Sequence, residues 1–281
     1  MTLIIKNTII LNSKLKPAWG SLDILRGCGP WDPSSNLGAG KMSKILKVIE
    51  GRHSTRVSFD PKRPVAKKDL EQILEAARWT PTAHNMQNFD IIVVDDKKVL
   101  EEIRRIKSPL SEEFIKENYL QLSFSKEELL KKKTGILSTF FPKSWTTPPF
   151  DMDEIVREAG SITLEDSIDG SPLLLVVVYD ARKRAPASEG DFLGILSLGC
   201  VMENMWLMAE ELGISVRILS EFGEPPMEKD LKKILGVPEH IKIAYAFRLG
   251  YPAPKPHKAL RVRRDAEMFA HHNRYGNKDA L

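Results

Sequence analysis

The chain has 281 residues, 42% apolar and 28% charged, with 42 basic against 38 acidic residues and a net charge of +4. That composition is ordinary for a globular protein able to bury a substantial core, and its small, interspersed charge excess does not call for a nucleic-acid partner. Two cysteines, Cys28 and Cys200, exclude a disulfide scaffold and suit a reducing cytoplasm. The longest uncharged apolar run, Phe192 to Met202, is short for a bilayer, so no membrane is expected.

Residues 1–41 contain Pro17, Gly20, Gly27, Gly29, Pro30, Pro33, Gly38 and Gly40, which break any long regular element. They read as an N-terminal extension, an arm or a disordered segment, leaving 42–281 as the main domain. From Met42 the spacing of Ile45, Leu46, Val48 and Ile49 predicts a helix, with Gly51 placed as its C-cap. Arg52-His53-Ser54-Thr55-Arg56 follows. In extended backbone Arg52, Ser54 and Arg56 project to one side, two guanidinium forks and a hydroxyl suited to phosphate. Alone, such a run is more often a solvated basic turn.

A second helix, carried by Leu70, Ile73, Leu74 and Ala77, ends near Trp79 because Thr80 precedes Pro81. The loop Pro81-Thr82-Ala83-His84-Asn85-Met86-Gln87-Asn88-Phe89 then offers amides and a hydroxyl to a polar heterocycle. Ile91 to Val94 reads as a short strand and Lys97 to Ile106 as a surface helix. Residues 108–150 are irregular, with helical pieces at Glu112 to Asn118 and Lys126 to Lys133. Their aromatics Phe140, Phe141 and Trp145 are placed in a lid or substrate pocket, against the plainer reading that they pack on the core.

Leu173 to Val178 reads as a strand buried on both faces. Glu189-Gly190 precedes a long helix, Asp191 to Leu212, whose apolar residues run nearly all round it; that pattern marks a core or interface helix. A strand from Ile214 to Leu219, a helix from Met227 to Leu235 capped by Gly236, and a strand from Ile241 to Leu249 complete the pattern. This irregular order favours α+β over a doubly wound fold. Gly250-Tyr251-Pro252 then leads to Arg261, Arg263 and Arg264. No metal-ligand spacing, nucleophile elbow or P-loop occurs, so no metal and no catalytic side chain is assigned.

Taken in order, these pieces resemble the FMN-dependent nitroreductase family. Its R-x-S-x-R-x-F run, its P-[ST]-x-x-N-x-Q-P-W loop and its G-Y-P turn with following basic residues match Arg52 to Arg56, Pro81 to Phe89 and Gly250 to Arg263. Phe59 falls two residues late, and Asn88-Phe89 replaces proline-tryptophan, which should leave Gln87 less firmly placed. The resemblance implies a central, mostly antiparallel sheet flanked by helices, in an intertwined homodimer with FMN at the interface. It implies that Arg52, Ser54, Arg261 and Arg263 hold the phosphate and ribityl end, with His53 and Arg56 in the same cofactor-binding segment. Pro81, Thr82, Ala83, Asn85 and Gln87 would reach the partner's flavin, and Glu189 and Gly190 would face the ring. It further implies NAD(P)H as donor and a nitroaromatic, quinone or similar small molecule as acceptor. Other flavin chemistry on this scaffold, reductive dehalogenation or flavin fragmentation, stays open. So does a basic protein that binds a polyanion through Lys255 to Arg264.

Overall fold

The computed structural model describes residues 43–278, apart from 109, 139–144, 146–148, 150, 161 and 254–259. The 1–41 extension and the side chains Phe140 and Phe141 lie outside the described residues. Residues 41–265 form one compact unit. Helix α1 (Lys44–Gly51) opens it, with Ile45, Leu46 and Ile49 exposed. Gly51 is the last helical residue rather than a left-handed cap, and the chain leaves at Arg52 with φ −52°. The glycine answers a different need: a Cβ there would come within 2.7 Å of Glu210 Oε1.

Four strands form one antiparallel sheet: β1 (Asp90–Val94), β4 (Leu173–Asp180), β5 (Ser215–Leu219) and β6 (Ile241–Gly250), in the order β1-β4-β6-β5. Two short strands between them, β2 (Ser123–Phe124) and β3 (Ile136–Leu137), pair with each other in parallel. Side chains alternate across a strand, so β4 and β6 serve two cores. Leu175, Val177, Phe247 and Leu249 face helices α2 (Lys67–Arg78) and α8 (Phe192–Glu211), meeting Ile73, Val201, Met205 and Trp206. Leu174, Val176 and Ala246 face the other way, toward Leu100 and Ile103 of α3 (Lys97–Arg104), Ile168 of α7 (Leu164–Ile168) and Leu231 of α9 (Pro225–Leu235). Each such aliphatic side chain contributes about 1.5–3 kcal/mol on burial. The uninterrupted run of β4 therefore means burial on both faces, as its sequence predicts.

Between α3 and β4 lie α4 (Glu112–Phe114), a π-helical turn (Ile115–Leu120), α5 (Lys126–Lys132) and α6 (Met152–Gly160). Ser125 and Glu128 close a reciprocal capping box on α5. Trp145 is buried here in a small core with Ile115, Ile155 and Ala159, and its indole donates to Glu158 Oε2 at 2.8 Å. It is thus a packing residue in this chain, not an open stacking face, because its ring and its polar edge are both engaged. Residues from 266 onward belong to a second unit, in which α10 (Ala266–Phe269) precedes a turn where His271 stacks on Tyr275.

Helix α9 is tied to the sheet by a buried carboxylate. Glu228 accepts from Ile243 N–H at 3.0 Å and pairs with Lys242 at 3.2 Å and with buried Lys232 at 3.4 Å. Burial raises its pKa, but the Ile243 and Lys242 hydrogen bonds and the two lysine charges outweigh that, so the net shift is downward from 4.5. A depressed folded-state pKa stabilises above the unfolded value, and the gain disappears as pH falls through the folded one. Glu228→Gln is expected to cost about 3 kcal/mol at neutral pH, because it leaves buried Lys232 with the Glu239 carbonyl but no countercharge. Urea unfolding should show the gap between wild type and variant narrowing as pH drops below 4.5. A pH-independent gap would sink this account.

Candidate functional site

Ser54 forms a parallel bridge with Val216, and Thr55 N–H donates to Val216 O at 2.8 Å, so the basic segment lies on the edge of β5. Thr55 is buried while Ser54 is half-buried and Arg56 exposed, the alternation expected of extended backbone. Arg52 sits 3.2 Å from Glu203 of α8, though its Nε–H has no aligned acceptor, and its guanidinium stacks 4.6 Å over Trp206. His53 Nδ1 bonds Gly51 O at 3.0 Å. Arg261 arrives from the far end of the unit: its Nη1 donates to the carbonyls of Glu50, Gly51 and Arg52, the last at 3.1 Å. A cation there also meets the negative end of α1. The two basic clusters, 209 residues apart in sequence, are therefore neighbours in space. Arg263 is exposed and bonded only locally, to Val262 O at 2.7 Å.

Sequence reading missed two further arginines, which pair across strands. Arg217 of β5 lies opposite Arg248 of β6, and Arg248 is completely buried. Burial, and after it the charge of Arg217, pulls Arg248 down to about 10. Arg56 is exposed along its length, yet desolvation of its head and the same Arg217 lower its pKa. Among the described residues none of these three arginines is in an ion pair, although Asp169 and Glu221 attract Arg248 at longer range. The alternation in Ser215–Leu219 hid Arg217, and that in Ile241–Gly250 hid Arg248, since an arginine in an alternating strand reads as solvent-facing.

The amide loop begins where α2 ends. Thr80 is buried and its hydroxyl accepts from Asn204 of α8 at 3.0 Å. Ala83 N–H donates to Ser197 Oγ, and Gln87 N–H to Thr82 Oγ1. His84, Asn85 and Gln87 have φ of 51°, 53° and 47°. Three non-glycine residues in the left-handed region store strain, a feature that clusters at binding sites. The Gln87 amide donates to Asn85 Oδ1 at 3.0 Å, so the two exposed side chains brace each other. Pro81 is exposed at the start of the loop. Beneath the loop is a cavity of about 20 Å³, lined in part by Ala83, Phe89, Asp191 and Ser197. It has room for about one water, not for a ring system.

Glu189 and Gly190 form a short 3-10 turn ahead of α8 and are exposed. Gly190 has φ 58°, and a Cβ there would meet nothing within 4 Å. The structure places this pair beside the amide loop, near Ser197, and not beside Arg52, which meets α8 at Glu203. From Ser197 to Glu210, next to Gly51, the helix rises about 20 Å. Within one chain the tip of the amide loop meets the first half of α8 at Ser197, its root reaches the middle at Asn204, and the basic segment meets the second half at Glu203.

The sequence model of the nitroreductase family matches residues 49–251. The chain belongs to the nitroreductase family. A relative from Archaeoglobus fulgidus, named as an NADH dehydrogenase/NAD(P)H nitroreductase, is 25% identical over 211 residues, covering 75% of this chain and 87% of its own. Solved nitroreductase structures share the fold. One from Desulfitobacterium hafniense, with bound FMN, has a TM-score of 0.51 at 21% identity and covers 83% of this chain and 100% of its own. Nitroreductase A from Vibrio parahaemolyticus gives 0.51 at 18%, covering 84% and 78%.

Within this nitroreductase the loop departure at Asn88 is compensated. The Asn88 amide accepts from Asp180 N–H at 3.1 Å and donates to the carbonyls of Asp180, at 3.1 Å, and Lys183, at 3.3 Å. These bonds fasten the loop to the end of β4, so Gln87 is held by an amide clamp where the family pattern has proline-tryptophan. Asn88→Ala should destabilise the protein by about 1–3 kcal/mol through buried groups left unpaired. It should also speed amide exchange across 84–89; thermal unfolding and exchange at wild-type levels would show the clamp to be idle.

Proposed function

We propose that the protein is an FMN-dependent NAD(P)H oxidoreductase acting as a homodimer on nitroaromatic, quinone or similar electron-poor small molecules, in a cytoplasmic setting. The observation that carries this reading is the convergence of Arg52, Ser54, Arg56 and Arg261 at the end of α1, in a chain of the nitroreductase family. Their chemistry fits a phosphorylated flavin: Arg56 and Arg217 have no ion-pair partner among the described residues, and Ser54 and exposed Arg263 are further donors. Arg52, Ser54, Arg261 and Arg263 would hold the phosphate and ribityl end. When bound, FMN supplies the redox chemistry, a hydride taken from NAD(P)H and passed to the acceptor in ping-pong order. The protein's part is to bind, orient and exclude water, which agrees with the absence of an assigned nucleophile in the sequence.

A second copy would complete the site. Helix α8 is long and apolar enough, by length and composition, to cross a membrane. Its inner face packs on the sheet, while Glu203 and Asn204 at its middle are engaged by Arg52 and Thr80. The outer stripe, Phe192, Ile195 and Leu196, is 50–62% exposed, and the apolar face of α1 is exposed as well. A stable dimer needs about 1,200–2,000 Å² of buried surface, and these two helices supply apolar area for it. A two-fold pairing through α8 would bring the amide loop, with Thr82, Asn85, Gln87 and Gly190, toward the partner's arginines.

Purified protein should be yellow and sediment as a dimer. Ile195→Glu should yield monomers that release flavin together; a monomer that keeps its flavin would count against a shared site. Arg263→Ala should weaken FMN by about 1.5–3 kcal/mol, the scale of one charged hydrogen bond, in a fluorescence titration. Unchanged affinity would remove Arg263 from the site. In anaerobic stopped flow, NADH or NADPH should bleach the flavin and a nitroaromatic restore its colour. A flavin that neither nicotinamide reduces would leave the fold and remove the function.

A further inference from the structure

We propose that Arg248 is a positioning residue that aims Ser54 and Arg56 at the ligand, so that a buried guanidinium sets the geometry of an exposed one. Arg248 Nη2 donates to Val57 O at 2.8 Å and to Thr55 O at 3.1 Å, the two carbonyls on either side of Arg56. In extended backbone the carbonyls of residues two apart point the same way. One amino group of the guanidinium bound to both therefore pins the segment's twist, and with it the shared face of residues 54 and 56. Nη1 donates to Asp169 O at 3.4 Å, and the guanidinium lies 4.5 Å over the Phe59 ring. Asp169 in turn accepts from Phe59 N–H at 3.1 Å and, through its carboxylate, from the Ser58 hydroxyl at 2.5 Å. The turn is closed by Gly170, with φ 68°, where a Cβ would come within 2.2 Å of Phe59 O. Segment 54–59 is thus held by β5, through Thr55 and Val216, and by Arg248, through the carbonyls of Thr55 and Val57.

A purely structural role suits this arrangement poorly. A buried cation costs stability unless its hydrogen bonds are made, and an apolar side chain of similar volume fills space without that cost. Arg248 has no carboxylate within ion-pair distance among the described residues, and its Nε–H is buried without an acceptor. Its bonds are concentrated on the backbone of a single segment. Arg217, the like charge on the next strand, also acts on Arg56. Repulsion from it favours an Arg56 head turned out from the sheet. Lysine does not reproduce this planar group, whose second terminal nitrogen reaches Asp169 O while its face covers Phe59, since an ammonium is a point donor on a flexible stem.

The proposal rests on the FMN reading for its ligand, but its geometry is testable in the flavin-free chain. Arg248→Met is expected to accelerate amide exchange at Thr55 and its neighbours while strands β1 and β4 keep wild-type protection. In FMN titrations it should weaken binding about tenfold in the wild-type background and less than about twofold beside Arg56→Ala, the non-additivity of residues acting through one another. Arg248→Lys, which keeps the charge and loses the planar guanidinium, is run in the same cycle. It should fall between, and it carries the test if the methionine variant does not fold. Additive losses of FMN affinity, or unchanged exchange at Thr55 in both variants, would overturn the positioning role. Wild-type protein that binds no FMN would instead overturn the proposed function, and the exchange experiment alone would then decide the role of Arg248.

Discussion

The packing of helix α8 across the β4–β6 pair is the contact on which the other features depend. Val201, Met205, Trp206 and Ala209 bury against the sheet and fix where each turn of the helix lies. Ser197 and Asn204 then receive the amide loop, and Glu203 and Glu210 meet the end of α1. The helix thereby carries the loop root and the basic segment on adjacent residues, Asn204 and Glu203, and the loop tip two turns earlier. The same helix leaves an apolar stripe of Phe192, Ile195 and Leu196 exposed on its outer side.

Electrostatics at the other end follow from how backbone and charge share the work. The last carbonyls of α1 have no helical partners, and the Arg261 guanidinium donates to two of them, Glu50 and Gly51, and to Arg52 just beyond. Arg52 is paired with Glu203, whereas Arg56 and Arg217 have no ion-pair partner among the described residues. The basic end thus holds two kinds of cation, one paired within the fold and one not. Similar economy is visible on the opposite face, where Glu228 gathers two lysines and a backbone N–H to join α9 to β6.

The loop from 81 to 89 shows how a departure from a family pattern is absorbed. Proline and tryptophan restrain by shape, but Asn88 restrains by three hydrogen bonds to backbone at the end of β4. Left-handed residues at 84, 85 and 87 then need that fastening, since an untethered loop would relax out of the strained region.

Helices α2, α8 and α9 and strands β1, β4, β5 and β6 were legible in the sequence, because apolar periodicity reports burial locally. So were the basic segment and the amide loop, whose residue types declare their chemistry. Other features were decided only by tertiary contact. Gly51 was legible as a glycine near a helix end, but its reason is the approach of Glu210. Trp145 is aromatic in a proline-rich stretch, and only packing against Ile155 and Ala159 makes it core. Arg217 and Arg248 face each other because of strand register, which a sequence without its pairing partners does not express. Sequence alone determined the four strands of the main sheet, most of the helices packed on it and which residues carry charge; it did not show β2, β3, α6 or α7, whose short or irregular segments lack a sustained apolar period. The tertiary structure decided which charges meet, which are buried and which stay unpaired, because those depend on distances between residues far apart in the chain.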